Sequence, residues 1–211
     1  MKILRRVLRR TSFYLATKRL GHYPDYWYWK LRGEPARPPH LLKQRVVKEF
    51  ALRYSLRTLV ETGTYYGEMV ASVKHDFDHI FSIEFDPRLA AHAKKRFQRY
   101  ANIRILEGSS ETIIPELLLT ITQPALFWLD AGYFAWQGDF KDMGRMMTEL
   151  DAIFTHAILE HVVLIDDVVP FSGRDGTPEL KVLLGMIKGK YPERVFEENS
   201  GILCVLRGDP E

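Results

Sequence analysis

The 211-residue sequence is 46% hydrophobic and 27% charged, which suits one globular domain with a sizeable core. No apolar run reaches the roughly 18 residues that a membrane span needs, and arginines interrupt the start MKILRRVLRR, so we expect neither a span nor a secretory signal. Cys204 is the single cysteine, which excludes an intrachain disulfide and favours a cytoplasmic location.

The charge is concentrated at the amino-terminal end. Residues 1–60 hold 15 of the 30 basic residues but 3 of the 27 acidic ones. Residues 3–16 have the pattern of a basic amphipathic helix. Such a helix can pack on its own domain, lie on an anionic membrane surface, bind a second subunit or bind nucleic acid. Nucleic acid is the least favoured partner, because no recognised binding module accompanies the charge.

The first 54 residues form a basic, aromatic-rich extension that ends in a predicted helix over 40–54. From residue 55 onward, short apolar runs alternate with amphipathic stretches, which indicates an α/β domain with a mostly parallel, doubly wound sheet between two helical layers. Five parallel strands are predicted at 58–62, 79–84, 102–108, 125–130 and 161–166. Two last strands, at 194–198 and 201–206, are separated by so few residues that they predict an antiparallel hairpin.

A glycine turn follows the first predicted strand, in the run Glu61-Thr62-Gly63-Thr64-Tyr65-Tyr66-Gly67. Ligands of parallel sheets bind beyond the carboxyl ends of the strands, and glycine lets the backbone approach a ligand closely. Glu84 ends the second strand, 21 residues after Gly63, where a carboxylate can accept hydrogen bonds from ribose hydroxyls. The turn lacks the Gly-x-Gly-x-x-Gly fingerprint of dinucleotide-binding proteins. We therefore favour another nucleoside ligand over a dinucleotide.

Five segments together resemble the class I methyltransferases that depend on S-adenosylmethionine (SAM): VETGTYYGEMV, FSIEFD, ILEGSSETIIPELL, ALFWLD and HVVLIDD. The resemblance covers about residues 55–208 and is nearest to a largely uncharacterised bacterial group with an E-T-G-T turn and an F-W-L-D strand. It implies SAM as cofactor and the strand order 3-2-1-4-5-7-6, with the last strand antiparallel.

The resemblance also implies roles for individual residues. Glu61 would face the methionine amino group, and Glu84 would hold the ribose. The turn between methionine and ribose would be lined by Gly63, Thr64 and Gly67. Ser109 and Ser110 stand where many relatives place an aspartate that binds the adenine amino group.

Carboxylates end the fourth and fifth predicted strands. Asp130 follows FWL, and Asp166 and Asp167 follow HVVLI. Methyl transfer to a hydroxyl needs a base, so Asp130 and Asp166 are the catalytic candidates, and Asp130 also borders the cofactor. All three carboxylates are candidate ligands of Mg²⁺, since some metal-dependent O-methyltransferases of this fold place carboxylates there. The alternative is that these side chains bond the adjoining loops.

The predicted function is O-methylation of a small-molecule or glycan hydroxyl, by an enzyme that is cytoplasmic or peripheral to a membrane. Aromatic residues after Asp130, namely Tyr133, Phe134 and Trp136, can stack on such an acceptor. The alternative is a SAM-binding protein without activity, because Gly132 stands where the resembling group often has histidine.

Overall fold

Strands and helices alternate through most of the chain. The computed structural model describes residues 30–31, 38–130, 140–166 and 180–208. The elements of these residues are α1 (His40–Arg53), β1 (Thr58–Thr62), α2 (Glu68–Val73), β2 (His79–Glu84), α3 (Pro87–Phe97), β3 (Ile103–Glu107), α4 (Ser110–Leu118), β4 (Ala125–Leu129), α5 (Phe140–Phe154), β5 (Val162–Ile165), α6 (Leu180–Lys190), β6 (Arg194–Asn199) and β7 (Ile202–Arg207).

The strands form one seven-stranded sheet in the order β3-β2-β1-β4-β5-β7-β6. The strands β1 to β5 run parallel, whereas β7 is antiparallel to both β5 and β6. This topology confirms the predicted fold class, including the antiparallel last strand. The sheet order reverses direction between β1 and β4, and ligands of open α/β sheets bind in the crevice at such a point.

Alternate side chains of the central strands fill two hydrophobic clusters, one on each face of the sheet. Val60 and Phe127 pack with α4, α5 and α6 on one face. Leu59 and Trp128 pack with α1, α2 and α3 on the other. Because successive side chains of a strand point to opposite faces of the sheet, the apolar runs of the central strands place core residues on both faces and give a three-layer domain.

Helix α1 contributes to the core of this domain. Its side chains Val46, Val47, Phe50 and Ala51 are buried in the cluster that contains Trp128. Residues 40–53 lie within the extension predicted from the sequence, and burial of these side chains ties that part of it to the sheet.

The β6–β7 hairpin turns through Ser200 and Gly201, which have φ angles of 57° and 77°. Asn199 pairs with Ile202 across a two-residue loop. Two positive φ values are typical of the type I′ turn, whose twist matches that of antiparallel strands. The predicted hairpin is therefore confirmed; its first strand is one residue longer than expected, and its second has the expected length but is shifted by one residue.

Several sequence predictions fall outside the residues that the structure describes. They concern the helix at 3–16 with its membrane or subunit contact, the loop that holds Gly132, Tyr133, Phe134 and Trp136, and the segment that begins with Asp167. Within the described ranges, no helix is both long enough and apolar enough to cross a bilayer.

Candidate functional site

The turn after β1 is fixed to the end of β2. The N–H groups of Gly63 and Thr64 donate to the carbonyl of Ile83, at 2.9 and 3.2 Å, and the N–H of Gly67 donates to Thr64 at 2.7 Å. Gly63, Tyr65 and Gly67 all have positive φ angles, between 50° and 81°. The chain therefore curls tightly over the carboxyl ends of β1 and β2 before α2 begins, as the sequence predicts.

Position 67 requires glycine both for its backbone conformation and for its close packing against a neighbouring side chain. Its φ is 71°, and an added Cβ would lie 2.5 Å from Cε2 of Phe97. We expect Gly67→Ala to destabilise the fold by about 2 kcal/mol or more, because it combines a strained backbone with an overpacked core. Urea unfolding measures this loss. As a control, Gly185→Ala in α6 meets nothing within 4 Å and should stabilise by about 0.5–1 kcal/mol. Equal stability of the two variants would contradict the prediction.

Glu84 is nearly buried at the end of β2 and holds the glycine turn. One carboxylate oxygen accepts the N–H of Tyr65 at 2.6 Å, and the other accepts the N–H of Asp86 at 2.9 Å. Each oxygen of an ionised carboxylate has a second lone pair. The carboxylate is thus oriented by the backbone and keeps the capacity to accept hydroxyl groups of a ligand.

Glu61 is buried in β1 beside a short chain of hydroxyl groups. Ser82, its register partner in β2, donates a hydrogen bond to the Glu61 carboxylate, and Ser82 Oγ lies 2.5 Å from Thr64 Oγ1. Burial raises the pKa of Glu61 to about 8; the bond from Ser82 opposes this rise, and the charge of Glu84 adds to it. Glu61 is therefore mostly protonated at neutral pH. The role of Ser82 was not predicted from the sequence.

The raised pKa of Glu61 predicts a pH dependence of stability. Its folded value of about 8 exceeds the ordinary 4.5, so the stability it contributes is present at low pH and is lost as pH rises towards 8. Glu61→Gln, which mimics the protonated form, should remove this loss. Between pH 6 and pH 8 its free energy of unfolding should gain about 2 kcal/mol over that of the wild type.

Urea unfolding at several pH values measures this difference. Glu198→Gln, at an exposed position in β6, is the control and should follow the wild-type profile. If Glu61→Gln and the wild type had parallel profiles, Glu61 would not be protonated in the folded protein.

The end of β3 lies beside the end of β2. The N–H of Gly108 donates to the carbonyl of Glu84 at 2.9 Å, with a φ of 144° at Gly108. Ser109 precedes the first residue of α4, and its hydroxyl donates to Glu111 at 3.3 Å. Ser110 is that first residue. The two serines predicted to border adenine thus lie at a helix start next to Glu84, with no aspartate at either position.

The candidate catalytic carboxylates follow two adjacent strands. The N–H of Asp130 donates to Thr62 Oγ1 at 3.2 Å, and the N–H of Asp166 donates to the carbonyl of Leu129 at 3.1 Å. These bonds bring the ends of β1, β4 and β5 together at the sheet edge that holds Glu61. Asp130 is partly exposed, whereas Asp166 is buried.

Asp166 is paired with a lysine from α1. Lys43 Nζ donates to Asp166 Oδ2, and the Asp166 side chain is fully buried while that of Lys43 is 13% exposed. One turn earlier in α1, His40 lies 3.7 Å from Glu68 at the start of α2. The first turn of α1 therefore borders the candidate site. The sequence analysis did not identify Lys43.

The proposed Mg²⁺ site is not assembled by the described residues. No group of three His, Cys, Asp or Glu side chains among them is placed to hold a metal ion. The ammonium group of Lys43 provides positive charge at Asp166, where the sequence predicts a cation. Asp167 lies outside the described ranges, so the set of Asp130, Asp166 and Asp167 stays a prediction.

His161 lies at the opposite end of the sheet from the candidate site. It is buried just before β5, accepts the N–H of Ala125 on Nδ1 at 3.0 Å, and faces His156 at 2.8 Å. Burial, with the neighbouring His156 and Arg194, lowers the pKa of His161 to about 4. This histidine has a structural role and does not reach the carboxyl ends of the strands.

Solved structures share this architecture. No family model matches the sequence, and no curated protein matches it. The O-methyltransferase TomG of Streptomyces achromogenes, in complex with SAM, is 16% identical with a TM-score of 0.59, covering 87% of each chain. The chain has the Rossmann-like methyltransferase fold.

Two further structures agree with this. A methyltransferase of Podospora anserina, bound to S-adenosylhomocysteine (SAH), is 18% identical with a TM-score of 0.57 and covers 88% of this chain and 87% of its own. An O-methyltransferase of Bacillus cereus, also in complex with SAH, is 13% identical with a TM-score of 0.56, over 84% of this chain and 86% of its own. At such low identity these likenesses concern the fold.

Proposed function

We propose that the chain binds SAM and transfers its methyl group. The observation that carries this proposal is the Glu84 carboxylate, which the backbone of the glycine turn holds at the carboxyl end of β2. In nucleotide-binding sheets an acidic residue at this place binds ribose hydroxyls. The structural neighbours that contain SAM or SAH support the choice of SAM among nucleoside ligands.

The other residues of the site fit SAM. The turn from Gly63 to Gly67 brings backbone close to the strand ends, where a nucleoside would lie. Glu61 is a buried carboxyl whose pKa is raised to about 8. A cationic amino group beside it would favour the ionised form and form an ion pair. SAM itself would supply an electrophilic methyl group on its sulfonium sulfur.

Calorimetric titration of the whole chain with SAM and with NAD tests the proposal. We expect saturable binding of SAM and much weaker binding of NAD, because two tyrosines occupy the middle of the turn where a pyrophosphate needs room. Absence of SAM binding at millimolar ligand would reject the proposal. Tighter binding of NAD than of SAM would assign the chain to the dinucleotide-binding proteins.

We further propose that the acceptor is a hydroxyl group of a small molecule or glycan. Asp130 is partly exposed at the end of β4, next to the strand that holds Glu61, and is the candidate base. The buried pair of Asp166 and Lys43 is better suited to position groups than to take a proton, since its carboxylate already accepts from an ammonium group. Two structural neighbours are O-methyltransferases, which supports transfer to oxygen.

Binding of SAM without methyl transfer is the second candidate function. The pairing of Asp166 with Lys43 favours this second function, because the negative charge of one predicted catalytic carboxylate is balanced by an ammonium group. Gly132 at the histidine position of the resembling group points the same way. Formation of SAH in the presence of glycan and phenolic acceptor libraries separates the two candidates. Saturable SAM binding with no SAH formed from any acceptor would favour the binding protein.

A further inference from the structure

A pocket of about 400 Å³ lies at the amino ends of β1, β2 and β3, away from the candidate site. Side chains on one face of the sheet line it, of which Thr58 and Phe81 are half-buried and His79 and Arg104 are exposed. Thr58 and His79 are register partners, as are Phe81 and Arg104. Since alternate residues of a strand face the same side, His79 and Phe81 join these two pairs into one surface. This surface is at the opposite end of the strands from Glu61 and Glu84.

The walls of the pocket are formed by the loop between α4 and β4. Ile121 is buried there, and Thr122 and Gln123 are exposed beside it. On the opposite rim, the Asn102 amide donates to the carbonyls of Lys74 and Phe77, each at 3.0 Å. These bonds fix the rim to the residues that follow α2.

The polar groups of the pocket favour negative charge. The residues that line it include arginine and histidine but no aspartate or glutamate. Within the described part of the chain, Arg104 forms no ion pair and the His79 ring forms no hydrogen bond. A guanidinium group presents a planar set of N–H donors that matches carboxylate and phosphate oxygens. Arg104 is exposed at the pocket, and its guanidinium group keeps donors that no described residue uses.

Beside this cation lies apolar surface. Phe81 is half-buried and neighbours Arg104 across the two strands, and Ile121 adds an aliphatic wall. The pocket volume lies in the range of about 300–1,000 Å³ that is typical of small-molecule sites, and its lining has more polar than apolar residues.

We propose that this pocket binds a small organic anion, consisting of a flat apolar body that carries a carboxylate or a phosphate. The proposal is independent of SAM binding, because it uses the other end of the sheet and none of the residues assigned to the cofactor. Carboxylate and phosphate share the chemistry that Arg104 recognises, and separate probes distinguish them.

The test is an NMR titration of the ¹⁵N-labelled chain with benzoate and with phenyl phosphate. We expect at least one of them to shift the amide resonances of Thr58, His79 and Gln123 saturably. Benzyl alcohol and inorganic phosphate, which lack the charge and the apolar body respectively, should bind at least about tenfold more weakly. Equal binding of either control, or shifts confined to the residues around Glu84, would overturn the proposal.

Variants of Arg104 test how much this side chain contributes to the affinity for the probe. Arg104→Gln should weaken the better probe about tenfold or more, and Arg104→Lys should retain part of the affinity because it keeps the charge but loses the planar donors. Arg99→Gln, at an exposed position outside the lining, removes the same charge and should change affinity less than twofold. Unchanged melting temperatures show that the variants fold. Folded Arg104→Gln with wild-type affinity would overturn the proposal.

Discussion

Replacement of Glu84 by glutamine should weaken SAM binding about 100-fold, since a ribose hydroxyl would lose a charged acceptor. Glutamine keeps the length of the side chain and one acceptor oxygen. Its amide nitrogen, however, would face one of the two N–H groups that the carboxylate accepts, those of Tyr65 and Asp86. The variant therefore tests both the charge of Glu84 and the orientation that the turn gives it. Calorimetric titration with SAM gives the dissociation constant.

The control separates loss of the site from loss of the fold. Glu198→Gln makes the same chemical change at an exposed position in β6 and should leave SAM affinity within about twofold of the wild type. Urea unfolding of Glu84→Gln reports the cost of the altered turn. If the variant folds and binds SAM as tightly as the wild type, Glu84 does not contact the cofactor.

Much of the fold follows from the spacing of apolar residues. The runs TLVET and ALFWL predict buried strands because both faces of a central parallel strand are covered, and both are central in the sheet. The Asn199-Ser200-Gly201 turn predicts the last hairpin, since positive φ angles need such residues. The ends of β3, β4 and β5 were each predicted one residue too late. Gly108, Asp130 and Asp166, which follow these strands, belong to the loops.

The candidate site could be predicted only in part. Residues that end strands, such as Glu84 and Asp130, are visible from the pattern because strand ends share one edge of the sheet. The pairing of Lys43 with Asp166 joins residues 123 positions apart through the packing of α1, which no local pattern encodes. Ser82 did leave a signal, as a polar residue within the otherwise apolar strand segment IFSI. Its contact with Glu61 needed the register of β1 and β2 to be known.

Replacement of Asp130 by asparagine should lower turnover about 10²- to 10³-fold if Asp130 is the base that activates the acceptor hydroxyl. Asparagine keeps the shape of the side chain and the backbone N–H that donates to Thr62, so the end of β4 should stay in place. SAM affinity should change by less than about tenfold, since an acceptor base contributes little to cofactor binding. The measurement is SAH formation at saturating SAM with an acceptor found in the library screen.

Two further variants are compared with Asp130→Asn. Asp76→Asn removes an exposed carboxylate that pairs with Lys48, and it should leave turnover unchanged. Asp166→Asn should reduce turnover less than Asp130→Asn does, because the fully buried Asp166 already accepts from the Lys43 ammonium group and is less suited to take a proton. A larger loss in Asp166→Asn than in Asp130→Asn, with both variants folded, would transfer the role of base to Asp166.

A chelator then distinguishes two roles of Asp130, a base that acts without metal and a ligand of a metal ion. Loss of turnover in Asp130→Asn, together with full activity of the wild type in chelator, would identify a base that works without metal. Loss under both conditions would support the Mg²⁺ that the sequence predicts, because a coordinated ion lowers the pKa of a bound hydroxyl. Activity that survives both would remove Asp130 and the metal from the mechanism. We expect the first result, since Lys43 supplies the positive charge at Asp166 that an ion between these strand ends would otherwise provide.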